Sequence, residues 1–320
     1  WKFDAGLDAR IGITSQLDAN LTLNPDFATV EGDQEQINLT RWELNFPEKR
    51  LFFLEGNEMF RTRIKTFYSR RIGDIIYGAK VTGKIRNMDM NVLSARTLED
   101  TSQSEPAAFF TAVRLKQDVL KSSTVGLTMV DKSWQDGFSR SVSVDYMLNL
   151  GKTWKLTGQY VGSMSDAIKK PWHTRAAWFA RVAKESNIYH VHIRYSNTGE
   201  NFQDNVNKTG LIRDDDMREV DSDLSYKFWM ENDWIKYISL EARNNIFWNH
   251  RGILRSWYLT QTARLYTQQR ISLDISYNNE FKLYEKKYYN HRIKVEVGYN
   301  TDEWASASLS HSTGRNYDRT

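Results

Sequence analysis

Apolar and polar residues alternate along most of this chain, in stretches of about ten residues that are separated by turn residues. In the stretch 235–248, Ile238 and Leu240 fall on one side of an extended backbone, whereas Glu241 and Arg243 fall on the other. Because successive side chains of a strand point to opposite faces, this period predicts strands with one apolar and one polar face. Repeated many times with no helical segment between, the pattern is typical of a transmembrane β-barrel.

The alternation predicts sixteen strands. We expect them at approximately 3–12, 17–24, 75–86, 89–98, 107–118, 123–132, 138–149, 153–164, 173–183, 187–197, 217–229, 235–248, 254–266, 270–283, 287–299 and 304–313. Short turns and longer links alternate between these strands, and the longer links are 25–74, 99–106, 132–137, 165–172 and 198–216. Since outer-membrane barrels have short periplasmic turns and long extracellular loops, the first predicted strand descends and the sixteenth ascends.

The parity of these strands has a consequence for the size of the barrel. Single-chain barrels of this kind have an even number of strands and normally keep both termini in the periplasm. We therefore expect at least one further strand on each side, and residues 314–318 are interpreted as a loop. The predicted fold is a single all-β domain over residues 1–320, a transmembrane antiparallel β-barrel of about 16–18 strands that is incomplete at both ends. It is expected in the bacterial outer membrane, in contact with its lipid; an inverted topology is the alternative.

Composition agrees with this class and excludes others. With a mean hydropathy of −0.64 and no run of eighteen apolar residues, the chain is not a helical membrane protein. Its 11 Trp and 16 Tyr suit the aromatic girdles of barrels, although aromatic residues favour strands in general. The absence of cysteine excludes disulfides and zinc–thiolate sites. The 44 basic and 40 acidic residues are nearly balanced, so nucleic acid is not expected as a partner.

The segment 25–74 breaks the alternation and combines charges of both signs with many aromatic residues. A fifty-residue connection is too long to be passive, and a barrel of this size leaves an aqueous channel unless something fills it. The segment is therefore predicted to fold inward as a plug or constriction, and the alternative is an extracellular cap that packs on the rim. Its candidate pore residues are Arg41, Glu43, Glu48, Lys49, Arg50, Glu55, Arg61, Arg70 and Arg71.

The first quarter of the chain also resembles a known bacterial family. The resemblance is carried by LDARIGITSQLDANLTLNPDFATVEGD, NLTRWELNFPEKRLFFLEGNEMF, and FYSRRIG followed by GAKVTGK. The family is a Bacteroidetes-type outer-membrane barrel domain of unknown function that often follows a family-nine-like carbohydrate-binding module. The resemblance implies a barrel, sometimes labelled a carbohydrate-binding protein or hydrolase, and it brings no established activity. Two departures from the family pattern are expected: the amino-terminal module does not precede these residues, and residues 72–76 join the next strand abruptly.

On the predicted polar face, His190, His192 and Arg194 lie two residues apart on one strand, and Glu241 and Arg243 do so on another. These five are predicted to face the lumen. Other predicted lumen positions, such as Lys80 and Arg114, are also charged, and the whole set contains both signs. Two imidazoles at this spacing could hold a metal ion, but the sequence identifies no third ligand. Polar filling of a wet lumen is the interpretation, and no metal or cofactor is predicted.

Two carboxylate patterns could indicate other chemistry. Residues 214–216 are three consecutive Asp, but they lack the spacing and glycine of a calcium loop and are interpreted as part of a solvated external loop. Glu48 and Glu55 could form a glycosidase pair, yet the neighbouring basic residues would lower their pKa values, which is wrong for a general acid. No catalytic residue is therefore predicted, and an enzyme is not expected.

Three functions remain open from the sequence. The first is passage of a polar solute, a saccharide or a peptide, through a plugged or constricted pore. The second is a sealed structural barrel that acts as a partner of other outer-membrane proteins in a larger assembly. The third is a carbohydrate-binding or hydrolytic protein, which the labels of the resembled family suggest.

Overall fold

The computed structural model describes residues 5–27, 32–33, 36–38, 42–101, 104–301 and 304–316. All sixteen predicted strands are present. Their bounds are β1 Leu7–Thr14, β2 Leu17–Leu23, β3 Ile75–Ile85, β4 Met88–Thr97, β5 Ala108–Val119, β6 Ser123–Trp134, β7 Gly137–Leu150, β8 Trp154–Ser165, β9 Ala176–Glu185, β10 Tyr189–Thr198, β11 Met217–Trp229, β12 Ile235–Trp248, β13 Leu254–Thr267, β14 Ile271–Leu283, β15 Lys287–Asn300 and β16 Ser306–Arg315.

In the residues that the structure describes, helical structure is confined to short pieces of the links. These are α1 Leu51–Leu54, α2 Phe202–Val206 and the 3₁₀ turns Asn57–Phe60, Ser69–Arg71 and Trp172–Arg175. In the described part of the chain, no helix is both long enough and apolar enough to cross a membrane.

The strands form one sixteen-stranded sheet in which each strand pairs with its neighbours in sequence. The predicted all-β, antiparallel fold is confirmed. Among the strands that the structure describes, β1 and β16 each have one neighbour, so this sheet is not closed into a barrel. Closure, the membrane and the plug accordingly stay predictions.

The chain divides into two compact units. Unit 1 comprises Trp1–Leu148, Gly158–Trp178 and Thr198–Asp216, and unit 2 comprises Asn149–Thr157, Phe179–Asn197 and Met217–Thr320.

Three predicted boundaries are wrong. The link 132–137 is a turn of two residues, because pairing continues to Trp134 opposite Gly137. Strand β9 begins later than predicted, because the preceding residues form a 3₁₀ turn. The predicted loop 314–318 belongs in part to β16, where Gly314 and Arg315 still pair with β15.

The strand register separates two chemically different faces in unit 1. Side chains that are paired across antiparallel strands lie on the same face. One row across β1–β7 is entirely apolar and consists of Ile11, Ala19, Val81, Val92, Val113, Met129 and Val142. The row on the opposite face, across β2–β7, is polar and consists of Asp18, Thr82, Asn91, Arg114, Thr128 and Ser143.

Unit 2 has the same division across β11–β16. An apolar row consists of Phe228, Ile238, Leu265, Leu273, Val297 and Leu309. A polar row on the other face consists of Lys227, Ser239, Arg264, Asp274, Glu296 and Ser310. Leu240 is 49% exposed, whereas its neighbour Ser239 is 2% exposed. At this pair the apolar side chain is exposed and the polar one is covered, which is the reverse of the usual distribution in a water-soluble domain.

In unit 1 the polar face also carries an apolar patch, which the sequence analysis did not predict. Its members come from β4, β5 and β6, and they are Leu93, Ala95, Ala108, Phe110, Ala112 and Val130. They form one buried cluster with Phe53, Phe60, Phe67 and Ile72 of the segment between β2 and β3. That segment therefore packs on the polar face of these strands through an apolar contact.

Candidate functional site

The inserted segment, defined as residues 42–74, is organised around a buried ion pair. The guanidinium of Arg50 donates to both carboxylate oxygens of Glu48, through Nε at 2.9 Å and Nη2 at 2.8 Å. It also donates to the carbonyl oxygens of Ile72, at 2.7 Å, and Ser69, at 2.8 Å. Its Cζ atom lies 4.3 Å from the ring centre of Phe53, a cation–π contact. One side chain thus ties the start of the segment to its end.

The carboxylate of Glu48 is held in its charged form. Burial alone would raise its pKa, but the hydrogen bonds and the positive charge of Arg50 outweigh burial and leave the pKa below its usual value. The backbone N–H groups of Lys49 and Arg50 also donate to Glu48 Oε1, at 3.0 and 2.9 Å. An acid of this kind is a structural anchor rather than a proton donor.

Four polar side chains of the strands hold the backbone of the inserted segment. Lys80 Nζ on β3 donates to the carbonyl of Phe52 at 2.7 Å and to that of Glu55 at 3.1 Å. On β4, Asn91 Nδ2 donates to the carbonyl of Gly56 at 3.0 Å. These contacts fix the end of α1 and the turn that follows it.

The other two anchors lie further along the sheet. Arg114 Nε on β5 donates to the carbonyl of Met59 at 3.0 Å, while its remaining nitrogens bind Asp145 and Thr128. On β8, Gln159 accepts from the backbone N–H of Ile64 at 2.8 Å and donates to the carbonyl of the same residue at 3.0 Å. The segment is thereby held at successive points along its length.

Two glycines allow this close approach. Gly56 has φ of +74°, a conformation that other residues adopt with strain, and an added Cβ would lie 2.4 Å from Asn91 Nδ2. At Gly78 on β3, an added Cβ would lie 2.7 Å from the ring of Phe52. Both glycines therefore make room for contacts between the segment and the sheet.

Most of the predicted plug residues form ion pairs. Glu55 contacts Arg10 at 3.3 Å and Lys80 at 3.5 Å, and Lys49 lies 3.4 Å from Asp33. Arg70 also pairs with Asp33, and Arg71 pairs with Glu43. Arg61 is exposed. Arg41 lies outside the described residues. The sequence placed Asp33 among the charges of the segment 25–74 without indicating its partners. Sequence reasoning missed Asn91 and Gln159, which give no signal beyond their place on a polar face.

The loop 199–216 of unit 1 packs against the inserted segment. The amide N–H of Tyr68 donates to the carbonyl of Thr209 at 2.8 Å, and that of Leu211 donates to the carbonyl of Lys65 at 2.9 Å. Phe202 and Val206 are fully buried in a cluster that includes Ile64. The loop is therefore more than a solvated connection, because its apolar residues fill space beside the segment, and the solvated, external setting of residues 214–216 stays a prediction.

A cleft of about 850 Å³ opens between these elements in unit 1. Its basic side chains are Arg70, Arg71, Lys132 and Lys208, and its acidic ones are Glu43, Asp74, Glu99, Asp100, Glu105 and Asp204. Glu105 bridges Lys132 at 2.7 Å and Lys208 at 3.5 Å. Burial raises the pKa of Glu105, but the two ammonium groups outweigh it and leave the pKa lowered. The cleft presents mixed charges and can form many hydrogen bonds.

In unit 2, the five predicted lumen residues belong to two neighbouring groups of polar contacts. His190 Nε2 is 3.1 Å from His192 Nδ1, and His192 Nε2 is 2.7 Å from Asp221 Oδ1. Arg194 contacts Glu219 at 3.1 Å and Asp221 at 3.3 Å. This group continues to β12.

Arg243 and Asn245 of β12 contact acidic residues of β11. Arg243 pairs with Asp223 at 3.0 Å and lies 3.8 Å from Glu241, and Asn245 Nδ2 donates to Glu219 at 2.8 Å. Sequence reasoning missed the acidic partners Glu219, Asp221 and Asp223, although their period of two on β11 is the signal that marks one polar face.

Comparison with known proteins covers only the start of the chain. Residues 1–91 match the model of one family. Its description is Domain of unknown function (DUF5916). The matched part includes β1–β3 and the inserted segment, so similarity to a family of unknown function is confirmed there, whereas an outer-membrane setting stays a prediction. No curated protein and no solved structure matches the chain.

Replacing Arg50 tests whether it fastens the inserted segment. We expect Arg50→Lys to keep the charge but lose the two-pronged bond to Glu48 and the carbonyl contacts. Since a hydrogen bond to a charged group contributes about 1.5–3 kcal/mol, amides of 48–72 should exchange about 30- to 160-fold faster for a net loss of about 2–3 kcal/mol. Hydrogen exchange with mass spectrometry measures this, and Arg61→Lys at an exposed position is the control. Equal exchange in the two variants would contradict the role of Arg50.

The loop 199–216 should loosen as pH rises. Burial raises the pKa of Asp215 to about 6; the N–H of Gln203 opposes the shift, and the nearby carboxylates of Asp204, Asp214 and Asp216 add to it. Because the folded pKa lies above the ordinary 3.8, its contribution to stability is fully present below 3.8 and is lost as pH rises through about 6.

We therefore expect exchange protection of 199–216, corrected for intrinsic rates, to fall between about pH 4 and 6, to level off above the folded pKa of about 6, and to become insensitive to pH in Asp215→Asn. Asp214→Asn is the control and should keep the dependence. A pH-insensitive loop in the unmodified protein would show that Asp215 does not act in this way.

Proposed function

We propose that this chain forms most of an outer-membrane β-barrel that passes a polar solute, a saccharide or a peptide, through a pore narrowed by the inserted segment. The observation that carries the proposal is that the strands have exposed apolar rows on one face and polar rows on the other. On the polar face, side chains of the strands hold an irregular segment by its backbone. A closed barrel would turn these faces toward lipid and toward a lumen.

The apolar rows support the membrane setting. Leu240, Ile275 and Val297 are all exposed, although each lies in a continuous apolar surface across several strands. Water would be a poor solvent for such a surface, since each square ångström of apolar area transferred out of water contributes about 25 cal/mol. Lipid acyl chains are the solvent that suits it.

The cleft and the charges of the inserted segment support a polar solute. Saccharides and peptides carry many donors and acceptors, and the cleft offers carboxylates, ammonium groups and guanidinium groups in about 850 Å³. Exposed Arg61 lies near Lys65, whose pKa is lowered by burial and further by the positive charges of Arg61 and Arg213. A cluster of like charge beside a passage is the arrangement that sets selectivity in channels.

Charged substitutions on the two faces test the membrane setting. We expect Ile275→Arg, on the apolar face of β14, to lower the free energy of unfolding in phospholipid vesicles by about 2–4 kcal/mol if it lies at mid-membrane depth. Ser276→Arg, the next residue on the polar face, should have a much smaller effect. Urea unfolding followed by tryptophan fluorescence measures both. Equal effects, or a fold that is stable in water without detergent, would refute a lipid-facing surface.

Passage itself is tested by single-channel conductance in a planar bilayer. The protein is compared with a variant that lacks residues 31–66, and we expect the variant to conduct more because the segment no longer narrows the pore. Arg114→Gln, which removes the anchor on Met59, should raise the conductance or its fluctuation. The control Arg292→Gln on β15 leaves this anchor in place and should not destabilise the segment.

The outcomes separate the hypotheses. If only the deletion variant conducts, the segment is a closed plug, and if both conduct, it is a constriction. If both are silent while the variant stays folded, passage is refuted and a sealed scaffold within a larger outer-membrane assembly becomes the leading hypothesis.

A further inference from the structure

We propose that His190 and His192 of β10, together with Asp223 of β11, bind one zinc(II) ion on the polar face of unit 2. Sequence reasoning left two histidines without a third ligand. The fold supplies it, because the ligand atoms of these three side chains all lie within 4.8 Å of one another. The inference does not depend on passage of a solute.

The geometry of the two imidazoles fits a shared metal ion. Two nitrogens bound to tetrahedral zinc at about 2.0–2.1 Å lie about 3.3 Å apart. The distance between His190 Nε2 and His192 Nδ1 is 3.1 Å, and the rings are inclined at 75° rather than stacked. The two nitrogens are therefore close to the spacing that a shared zinc ion requires, and a carboxylate oxygen of Asp223 lies within 4.8 Å of a ring nitrogen of each histidine.

Asp221 gives His192 the tautomer that a metal requires. Its carboxylate lies 2.7 Å from His192 Nε2, so this nitrogen carries the proton and Nδ1 keeps its lone pair. A carboxylate behind a ligating histidine is the usual support of a zinc site. Asp221 is itself oriented by Arg194 at 3.3 Å and by Asn245 at 3.2 Å.

When both rings are neutral and His192 Nε2 carries its proton, His190 Nε2–H is the donor to His192 Nδ1. Metal binding moves that proton to His190 Nδ1, so both rings remain neutral and no proton is lost from the pair. His190 Nδ1 lies 3.9 Å from the carboxylate of Glu185, which favours a proton on this nitrogen.

The charge around the site favours a dication. Four carboxylates, of Glu219, Asp221, Asp223 and Glu241, face the guanidinium groups of Arg194 and Arg243. Glu185, beside His190, is paired with Arg181 at 3.7 Å. Two negative charges are then left over among these pairs, the number that one zinc ion neutralises. Arg243 holds one oxygen of Asp223 at 3.0 Å, but a carboxylate has two oxygens and can share them between an ion pair and a metal. Imidazole and carboxylate donors suit zinc better than the oxygen-preferring Ca²⁺ or Mg²⁺.

The experiment is zinc titration of the untagged, metal-stripped full chain in detergent micelles, by calorimetry and by competition with a chromophoric chelator. We expect one zinc ion per chain. His190→Ala, His192→Ala and Asp223→Asn should each weaken binding more than 100-fold, and Asp221→Asn should weaken it about 10- to 100-fold as a supporting residue. His291→Ala, at an exposed position on β15, is the matched control and should bind as the unmodified protein does.

Cobalt(II) provides a second readout that reports ligand geometry. Its visible absorption should appear on binding and disappear in His192→Ala, while circular dichroism shows that the variant remains folded. No binding, or binding that survives loss of both histidines, would overturn the proposal and leave a hydrogen-bonded polar network. Because the titration needs no bilayer, its result is independent of the conductance measurement.

Discussion

An irregular segment can lie against a β-sheet only if its backbone polar groups find partners, because a covered N–H or C=O without one is costly. The inserted segment has only short helical turns, so its internal hydrogen bonds leave many groups open. Lys80, Asn91, Arg114 and Gln159 provide the missing partners at four successive points. The place of the segment on the sheet, and with it the cleft, depends on these contacts.

Packing of the inserted segment also explains why the polar face of unit 1 carries apolar side chains. Hydrogen bonds give position, but apolar area removed from water gives most of the free energy of packing. The cluster of Phe53, Phe60 and Phe67 with Leu93 and Val130 provides that area. Arg50 then links the two ends of the segment through Glu48 and the carbonyl of Ile72. Three different sets of contacts thus position the segment on the sheet, pack it against the sheet and link its two ends.

In unit 2, the polar face is occupied by charged side chains that pair with one another. Arg194, Glu219, Asp221 and Asn245 form a network in which each carboxylate has more than one partner. The carboxylates of this network are well satisfied, although Arg194 Nε and Asn245 Oδ1 are buried without a hydrogen-bond partner among the described residues, and the network keeps an excess of negative charge beside two histidines. This excess distinguishes the histidine site from ordinary polar filling.

The sequence by itself determined the strands, their order and their two faces. A period of two follows from the geometry of an extended chain, so Ile238 and Ser239 could be assigned to opposite faces without knowledge of the fold. It also placed His190, His192 and Arg194 on one face. Turn boundaries such as those of Gln135 and Asp136 were less certain, because pairing can extend through polar residues.

Only the tertiary structure decided which residues from distant parts of the chain meet. Gln159 reaches Ile64 across 95 positions, and Thr209 reaches Thr66 across 143. Asp223 comes beside His190 and His192 because β10 and β11 are neighbours and their register places the three side chains together. Alternation fixes the face of each residue, but register and packing fix its partners, and neither can be read from the period of the sequence.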